Sequence, residues 1–245
     1  MDIIRLQEVD STNRHLIRLS VDALEEGTTV VAERQTDGRG QGDNRWESEP
    51  GKNLTFSVLL YPSFVRGTEP FGIAEAIALA VSDFAAQHVQ NISVKWPNDI
   101  YWGGGKIAGI LVENFIQGEW ITKTVAGVGI NINQERFAGN APNPVSLRQA
   151  TGKQFDTEEC LHRILQCIAG RYRQLRTAPD ALHHDYIGRL YRFNLPKTYR
   201  ANGVCFKARI IGVSRCGRLE LLTADNRIKT FAFKEISFEQ DNGDE

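Results

Sequence analysis

Short segments that alternate between hydrophobic and polar residues, or are rich in β-branched residues, recur through the first half of the chain and predict β-strands. They cover residues 3–9, 28–32, 53–60, 92–96, 110–116 and 120–128. The last two flank Gln117-Gly118-Glu119, which predicts a hairpin.

Hydrophobic residues spaced three or four positions apart predict three helices. The first opens at Thr68-Glu69-Pro70 and places Ile73, Ile77, Val81 and Phe84 on one face. The second spans residues 157–176, and the third runs from about Pro179 to Leu190. These strands and helices together indicate an α+β domain over residues 1–190.

From Tyr191 onward the pattern changes to short strand-like runs separated by Asn-Gly, Cys-Gly and Asp-Asn turns. This spacing predicts a small all-β module over residues 191–240. The polar tail, residues 241–245, is expected to be disordered.

Composition excludes several functional classes. A net charge of −1 over 245 residues provides no global field for nucleic acid or anionic membrane. We find no apolar run of about 18 residues and no signal-peptide core, so we expect a cytoplasmic protein without a membrane partner. The four cysteines lack zinc-site spacing and are expected to be reduced.

The stretch over residues 94–113 concentrates the candidate chemistry. A short strand stops at Pro97, Asn98 and Asp99 follow, and Lys106 comes directly after three glycines. A carboxylate and a lysine at the two ends of a tight connection suit a polyanion with a bound cation. The alternative is a hairpin with a charged rim and no ligand.

Three other segments are candidates for ligand contact. Residues 10–13, Asp-Ser-Thr-Asn, either cap a helix or hold a polar ligand with the same hydroxyl and N–H groups. Residues 33–46 are predicted to form a long mobile loop, in which Arg39 lies between two glycines and Trp46 serves as an anchor. The glycine-rich end of the strand near Asn131 would let the backbone approach a ligand.

The sequence does not match the standard nucleotide-binding motifs. Gly105-Lys106 lacks the first glycine and the Ser or Thr of a P-loop, since Ile100 and Ile107 stand there. Residues 103–108 fit G-x-G-x-x-A, but a strand-like run follows where a dinucleotide fold needs a helix. No G-x-S-x-G or H-E-x-x-H segment occurs.

Five ordered motifs together resemble the biotin protein ligases, or biotin–[acetyl-CoA-carboxylase] ligases. They are Asp10-Ser11-Thr12-Asn13, the Gln35…Gly38-Arg39-Gly40 loop, residues 95–99 (Lys-Trp-Pro-Asn-Asp), residues 106–113 (Lys-Ile-Ala-Gly-Ile-Leu-Val-Glu) and residues 127–131 (Gly-Val-Gly-Ile-Asn). The resemblance implies a mixed sheet packed with helices, as in class II aminoacyl-tRNA synthetases, and a C-terminal Src-homology-like β-barrel. It also implies that biotin and ATP form biotinyl-5′-adenylate, with Mg²⁺, before a carrier lysine takes the biotinyl group.

The resemblance also assigns roles to individual residues. Lys106 and Arg39 would be catalytic, with Lys106 bridging the biotin carboxylate and the α-phosphate, and Asp99 would hold the metal. Biotin would be contacted by Ser11, Thr12, Asn13, Gln35, Gly38, Arg39, Gly40, Gln41, Lys106 and Gly109. The nucleotide would be contacted by Arg39, Trp46, Asn98, Lys106 and Asn131.

The implied partner is the biotin carboxyl carrier domain of a biotin-dependent carboxylase. The family's N-terminal helix-turn-helix has no place before residue 10, so we expect a ligase without DNA binding, as a monomer or weak homodimer. Gln41 and Gly42 stand where well-known members have further arginines, which predicts weaker retention of the adenylate. Alternatives are a lipoate–protein ligase and a non-catalytic nucleotide- or biotin-binding module.

Overall fold

The computed structural model describes residues 2–19, 24–42, 44–137 and 143–239. Its strands are β1 (Ile3–Val9), β2 (Thr29–Gln35), β3 (Leu54–Leu60), β4 (Ile92–Lys95), β5 (Asp99–Trp102), β6 (Gly105–Gln117), β7 (Trp120–Ile130), β8 (Lys197–Ala201), β9 (Val204–Val213), β10 (Leu219–Thr223), β11 (Ile228–Phe231) and β12 (Ser237–Phe238). Its helices are α1 (Thr12–Arg18), α2 (Phe71–Ala86), α3 (Leu147–Thr151), α4 (Thr157–Thr177) and α5 (Pro179–Gly188).

The first seven strands form one mixed sheet in the order β1-β2-β3-β7-β6-β5-β4. Only β1 and β2 are parallel, and the other neighbours are antiparallel. One face of this sheet is covered by α2, whose small and branched residues are almost completely buried. Helix α4 packs on α2 from outside and presents Leu161, Ile164 and Ile168 to it. The prediction of a mixed sheet packed with helices is confirmed.

The last five strands form a separate antiparallel sheet in the order β11-β10-β9-β8-β12. This agrees with the expected small β-barrel of the Src-homology type. The two-residue strand β12 was not predicted, because two residues carry no readable alternation. The break between the sheets falls between Gly188 and Lys197, and the predicted boundary at residue 190 stays a prediction.

Two sequence interpretations need correction. Residues 33–35 belong to β2 and not to a loop, because their backbone continues the ladder with β1 up to Gln35. The short helix α3 was not predicted, although Ser146 and Gln149 form a full capping box at its start. Residues 138–142 and the whole of the tail over 241–245, which was expected to be disordered, lie outside the described residues.

Candidate functional site

Helix α1 begins at the edge of the site with a free side chain at its cap. Ser11 occupies the N-cap position, yet its side chain accepts no capping hydrogen bond. The first N–H groups are instead satisfied by other residues: Asp10 Oδ1 accepts from the Ser11 N–H, and Gln35 Oε1 accepts from the Thr12 N–H. The Ser11 hydroxyl is therefore left facing the cavity, which favours the ligand interpretation of this segment over a plain cap.

A row of hydrogen bonds continues from Thr12 across the sheet. The Ser57 hydroxyl lies 2.8 Å from Thr12 Oγ1 and 2.5 Å from Asn13 Oδ1. Asn13 Nδ2 donates to the carbonyl of Leu111 and, at 2.8 Å, to Glu113 Oε2. All of the Asn13 amide is thus engaged, which fixes its orientation in a buried position.

Glycines form the floor of the cavity beneath Trp46. Gly109 on β6 pairs directly with Gly129 on β7, so two residues without side chains lie next to each other. A Cβ atom on Gly129 would stand 2.3 Å from Trp46 Cε2, and one on Gly109 would stand 3.1 Å from Cζ3. The indole therefore lies against bare backbone, and its N–H is buried without a hydrogen-bond partner.

The loop that carries Trp46 is held by its own backbone. Gly40 N donates to Asn44 O at 2.7 Å, and Trp46 N donates to Gly38 O at 3.0 Å. A Cβ atom on Gly38 would lie 2.3 Å from the Trp46 carbonyl oxygen, so a side chain at that position would push the two arms of the loop apart. This loop places Arg39 and Gln41 on the cavity wall.

Two of the cations that line the cavity, Lys106 and Arg39, each face a carboxylate. Lys106 Nζ lies 2.6 Å from Asp99 Oδ1, and Arg39 Nη1 lies 2.9 Å from Glu113 Oε1. All four side chains are between one fifth and about one third exposed. Lys106 also lies 5.7 Å from the centre of the Trp46 ring, within cation–π range. The charges are therefore partly shielded from water, which strengthens their action on a bound anion.

These elements enclose a cavity of about 350 Å³, a volume suited to a small organic ligand. Most of the predicted site residues line it: Ser11, Thr12, Asn13, Gln35, Arg39, Gly40, Gln41, Trp46, Asn98, Asp99, Lys106 and Gly109. Gly38 does not line it and acts through the loop geometry just described.

Asn131 does not line this cavity, and its predicted nucleotide contact stays a prediction. It is 3% exposed, and its Nδ2 points at the carbonyl oxygens of Val145 (3.2 Å) and Lys106 (3.4 Å). In this structure the residue supports the backbone around Lys106. Asn98 lines the cavity, but its Nδ2 donates to the Ile110 carbonyl at 2.6 Å, so its side chain also serves the fold.

Several lining residues were missed by the sequence analysis. Phe233, Ile236, Ser237 and Phe238 come from the C-terminal module, whose approach to the seven-stranded sheet is a tertiary feature. Lys95 also lines the cavity, and burial lowers the pKa of its ammonium group. Glu113 had no predicted role, although strand alternation puts it on the same face as Gly109.

The residues near Asp99 suit a divalent cation that the protein holds weakly through one carboxylate. They do not form a site in which several protein ligands surround the metal. Within the described ranges, no three His, Cys, Asp or Glu side chains form a metal-binding group. A single carboxylate beside an anion-binding cavity is typical of Mg²⁺ held jointly with substrate phosphates.

None of the helices in the described part of the chain combines the length and apolar character needed to cross a membrane.

Comparisons with known proteins converge on one group. The family model for the biotin/lipoate A/B protein ligase family matches residues 5–131. The biotin–[acetyl-CoA-carboxylase] ligase of Paracoccus denitrificans is 30% identical over 206 residues, covering 78% of this chain and 82% of that protein. The bifunctional ligase/repressor BirA of Bacillus spizizenii is 33% identical over 175 residues, and the match covers 69% of this chain and only 53% of that relative.

Among solved structures, biotin protein ligase from Aquifex aeolicus in complex with biotin and ATP superimposes with a TM-score of 0.80. It is 27% identical, and the match covers 98% of this chain and 99% of that one. The similarity therefore includes both sheets and not only the region of the family match.

Proposed function

The chain belongs to the biotin/lipoate A/B protein ligase family, and from this premise we propose that it attaches biotin to a lysine of a carrier protein with the use of ATP. The observation that carries the proposal is the pairing of Lys106 and Arg39 around one cavity whose remaining walls match the predicted biotin contacts. The proposed partner is a biotin carboxyl carrier domain.

In the first step, a carboxylate oxygen of biotin attacks the α-phosphorus of ATP, and the bond to pyrophosphate breaks. Two anions must approach each other, so fixed positive charges are needed to offset their repulsion. Lys106 is proposed to bridge the two reacting groups, and Arg39 is proposed to hold the phosphate from the loop side. In the second step, the carrier lysine Nζ attacks the acyl carbon and AMP leaves.

Each remaining wall has a role in this scheme. Ser11, Thr12 and Gln35 are proposed to bind the polar ureido ring of biotin, since all three line the cavity and Thr12 Oγ1 lies 3.2 Å from Gln35 Oε1. Trp46 and the glycine floor would cover the intermediate and exclude water from a hydrolysable mixed anhydride.

Asp99 is proposed to hold Mg²⁺ together with the phosphates of ATP. When bound, the ion would neutralise phosphate charge, as in many nucleotide-using enzymes. The Asp99 carboxylate lies next to Lys106, so an ion held there would lie close to the phosphate that Lys106 is proposed to contact.

A pyrophosphate-release assay with the full chain tests the proposal. Biotin plus ATP should release pyrophosphate, and a carrier domain should become biotinylated on lysine. Release with lipoate and not with biotin would identify a lipoate ligase, and no release with either acid would indicate a non-catalytic binding module. Either result would overturn the proposed function.

A further inference from the structure

Glu113 lies between Arg39 and Asn13, two residues with separate roles in the proposed reaction. It follows Gly109 and Leu111 at two-residue intervals on β6, so its side chain lies on the cavity face of the sheet. Its Oε1 accepts from Arg39 Nη1 at 2.9 Å, and its Oε2 accepts from Asn13 Nδ2 at 2.8 Å. One carboxylate therefore joins the loop that carries Arg39 and Trp46 to helix α1.

The contact at Asn13 continues through further hydrogen bonds to Gln35. The Ser57 hydroxyl lies within hydrogen-bond distance of both Asn13 Oδ1 and Thr12 Oγ1. The backbone N–H of Thr12 in turn donates to Gln35 Oε1. The whole row runs from the proposed biotin-ring contacts to the guanidinium proposed to hold phosphate. Glu113 is the link that connects this row to Arg39.

A carboxylate is suited to this position because both of its oxygens accept hydrogen bonds. Glutamine has the same shape but carries one acceptor and one donor, so it cannot accept from Asn13 and Arg39 through separate oxygens. It also lacks the charge that strengthens the bond to the guanidinium. Glu113→Gln therefore breaks the link with little change in volume.

We infer that Glu113 is a positioning residue that couples occupation of the biotin-ring end of the cavity to the placement of Arg39. This inference rests on the proposed function. Because coupling between two binding events is reciprocal, biotin should tighten nucleotide binding, and nucleotide should tighten biotin binding by the same factor. Glu113 transmits this effect and does not itself touch the reacting atoms.

Calorimetric titration of the full chain with biotin, with and without a non-hydrolysable α,β-methylene analogue of ATP, measures the coupling. The wild type should show a factor of about 5 or more, whereas Glu113→Gln should show less than about 2. Glu8→Gln is the matched control, because Glu8 pairs with Arg34 at 2.8 Å on the exposed side of the same sheet. This control should keep the wild-type coupling.

A double-mutant cycle locates the effect at Arg39. If Glu113 acts through the guanidinium, Glu113→Gln should add almost nothing to the loss of coupling in Arg39→Ala. Independent, additive losses would overturn the inference. Where Glu113→Gln fails to fold, Ser57→Ala breaks the same row from its other side and should reduce the coupling as well.

The outcomes separate the two proposals. A wild-type chain that does not bind biotin overturns the proposed function, and this inference falls with it. A chain that binds biotin and forms the adenylate, but whose Glu113→Gln and Ser57→Ala variants keep full coupling, overturns this inference alone.

Discussion

At the scale of single residues, the site is organised by charges that neutralise one another. Lys106 faces Asp99 and Arg39 faces Glu113, so neither cation is left partly buried without an anion. Each cation has N–H groups beyond those that meet its carboxylate, so a negatively charged substrate can bind while these pairs remain. The arrangement explains how a cavity can keep two fixed cations within a chain of nearly zero net charge.

Lys106→Ala tests the proposed bridge. Adenylate formation should fall by about 10²–10³-fold, the usual cost of losing one preorganised charge in a transition state. Biotin should still bind, because the contacts to its ring come from other residues. Pyrophosphate release and biotin titration measure the two effects. Lys207→Ala, on the exposed side of β9, should leave both unchanged; full turnover in Lys106→Ala would refute the bridging role.

Gly129→Ala tests the glycine floor. The added methyl group would stand 2.3 Å from the Trp46 ring, so the indole must leave its place over the cavity. We expect a change in tryptophan fluorescence and a fall in adenylate formation of about 10-fold or more, the size expected when a group close to the chemistry is misplaced.

The matched control is Gly170→Ala in helix α4, where a Cβ atom meets no neighbour within 4 Å. That variant should retain activity and gain about 0.5–1 kcal/mol of stability, since glycine weakens a helix interior. Equal activity of the two alanine variants would show that Trp46 does not need its present position.

At the scale of elements, strand β6 and the loop over residues 38–46 supply the opposite walls of the site. Alternation along the strand puts Gly109 and Glu113 on one face. Lys106, three residues before Gly109, reaches the same region because the register with β5 shifts between Ile100 and Tyr101. The loop contributes Arg39 and Trp46 and is held by short backbone hydrogen bonds between its arms. The strand is paired with β7 along its length, so the loop is the wall that is not held by the sheet.

Gln41→Arg tests how the loop retains the intermediate. Gln41 lines the cavity, and its Oε1 is buried without a hydrogen-bond partner. A cation there would add attraction to the phosphate, so the proposed adenylate should dissociate about 10-fold more slowly. Release of labelled biotinyl-adenylate from the purified chain measures the rate. Gln117→Arg, the same change at the exposed end of β6, is the control; equal release rates would exclude this role of the loop.

At the scale of the whole molecule, the cavity lies where the two sheets meet. Trp96 Nε1 donates to the Gly217 carbonyl at 3.0 Å, which ties the turn after β4 to the C-terminal module. The segment over residues 233–238 then forms part of the cavity wall. The C-terminal module is therefore a component of the site and not an appended unit.

Trp96→Phe tests this connection. It removes one hydrogen-bond donor and keeps an aromatic ring, so the free energy of unfolding should fall by about 0.5–1.5 kcal/mol. Hydrogen exchange should rise near Gly217, and adenylate formation should fall with it. Trp102→Phe, in the partly exposed strand β5, should change neither. Unchanged exchange near Gly217 in Trp96→Phe would show that the modules do not depend on this bond.

Much of the fold was readable from local patterns. Most of the strands, the three long helices and the change to an all-β module follow from hydrophobic periodicity and turn residues, because each pattern reflects burial of one face. The four-residue strand β5 was not predicted, because it lies between Pro97 and a run of glycines that indicate a turn. Errors occurred where the signal was short or ambiguous. Strand β12 has two residues, and the polar end of β2 looked like a loop because its pairing with β1 does not depend on hydrophobic side chains.

The sequence by itself determined which residue types were available for the chemistry and where the glycines fell, since motifs depend only on order along the chain. Tertiary structure decided which of those residues meet. It turned Asn131 toward backbone carbonyls, placed Trp46 on the glycine floor and brought residues 233–238 to the cavity. It also put Glu113 between Asn13 and Arg39. These contacts join residues far apart in sequence, so no local pattern could specify them.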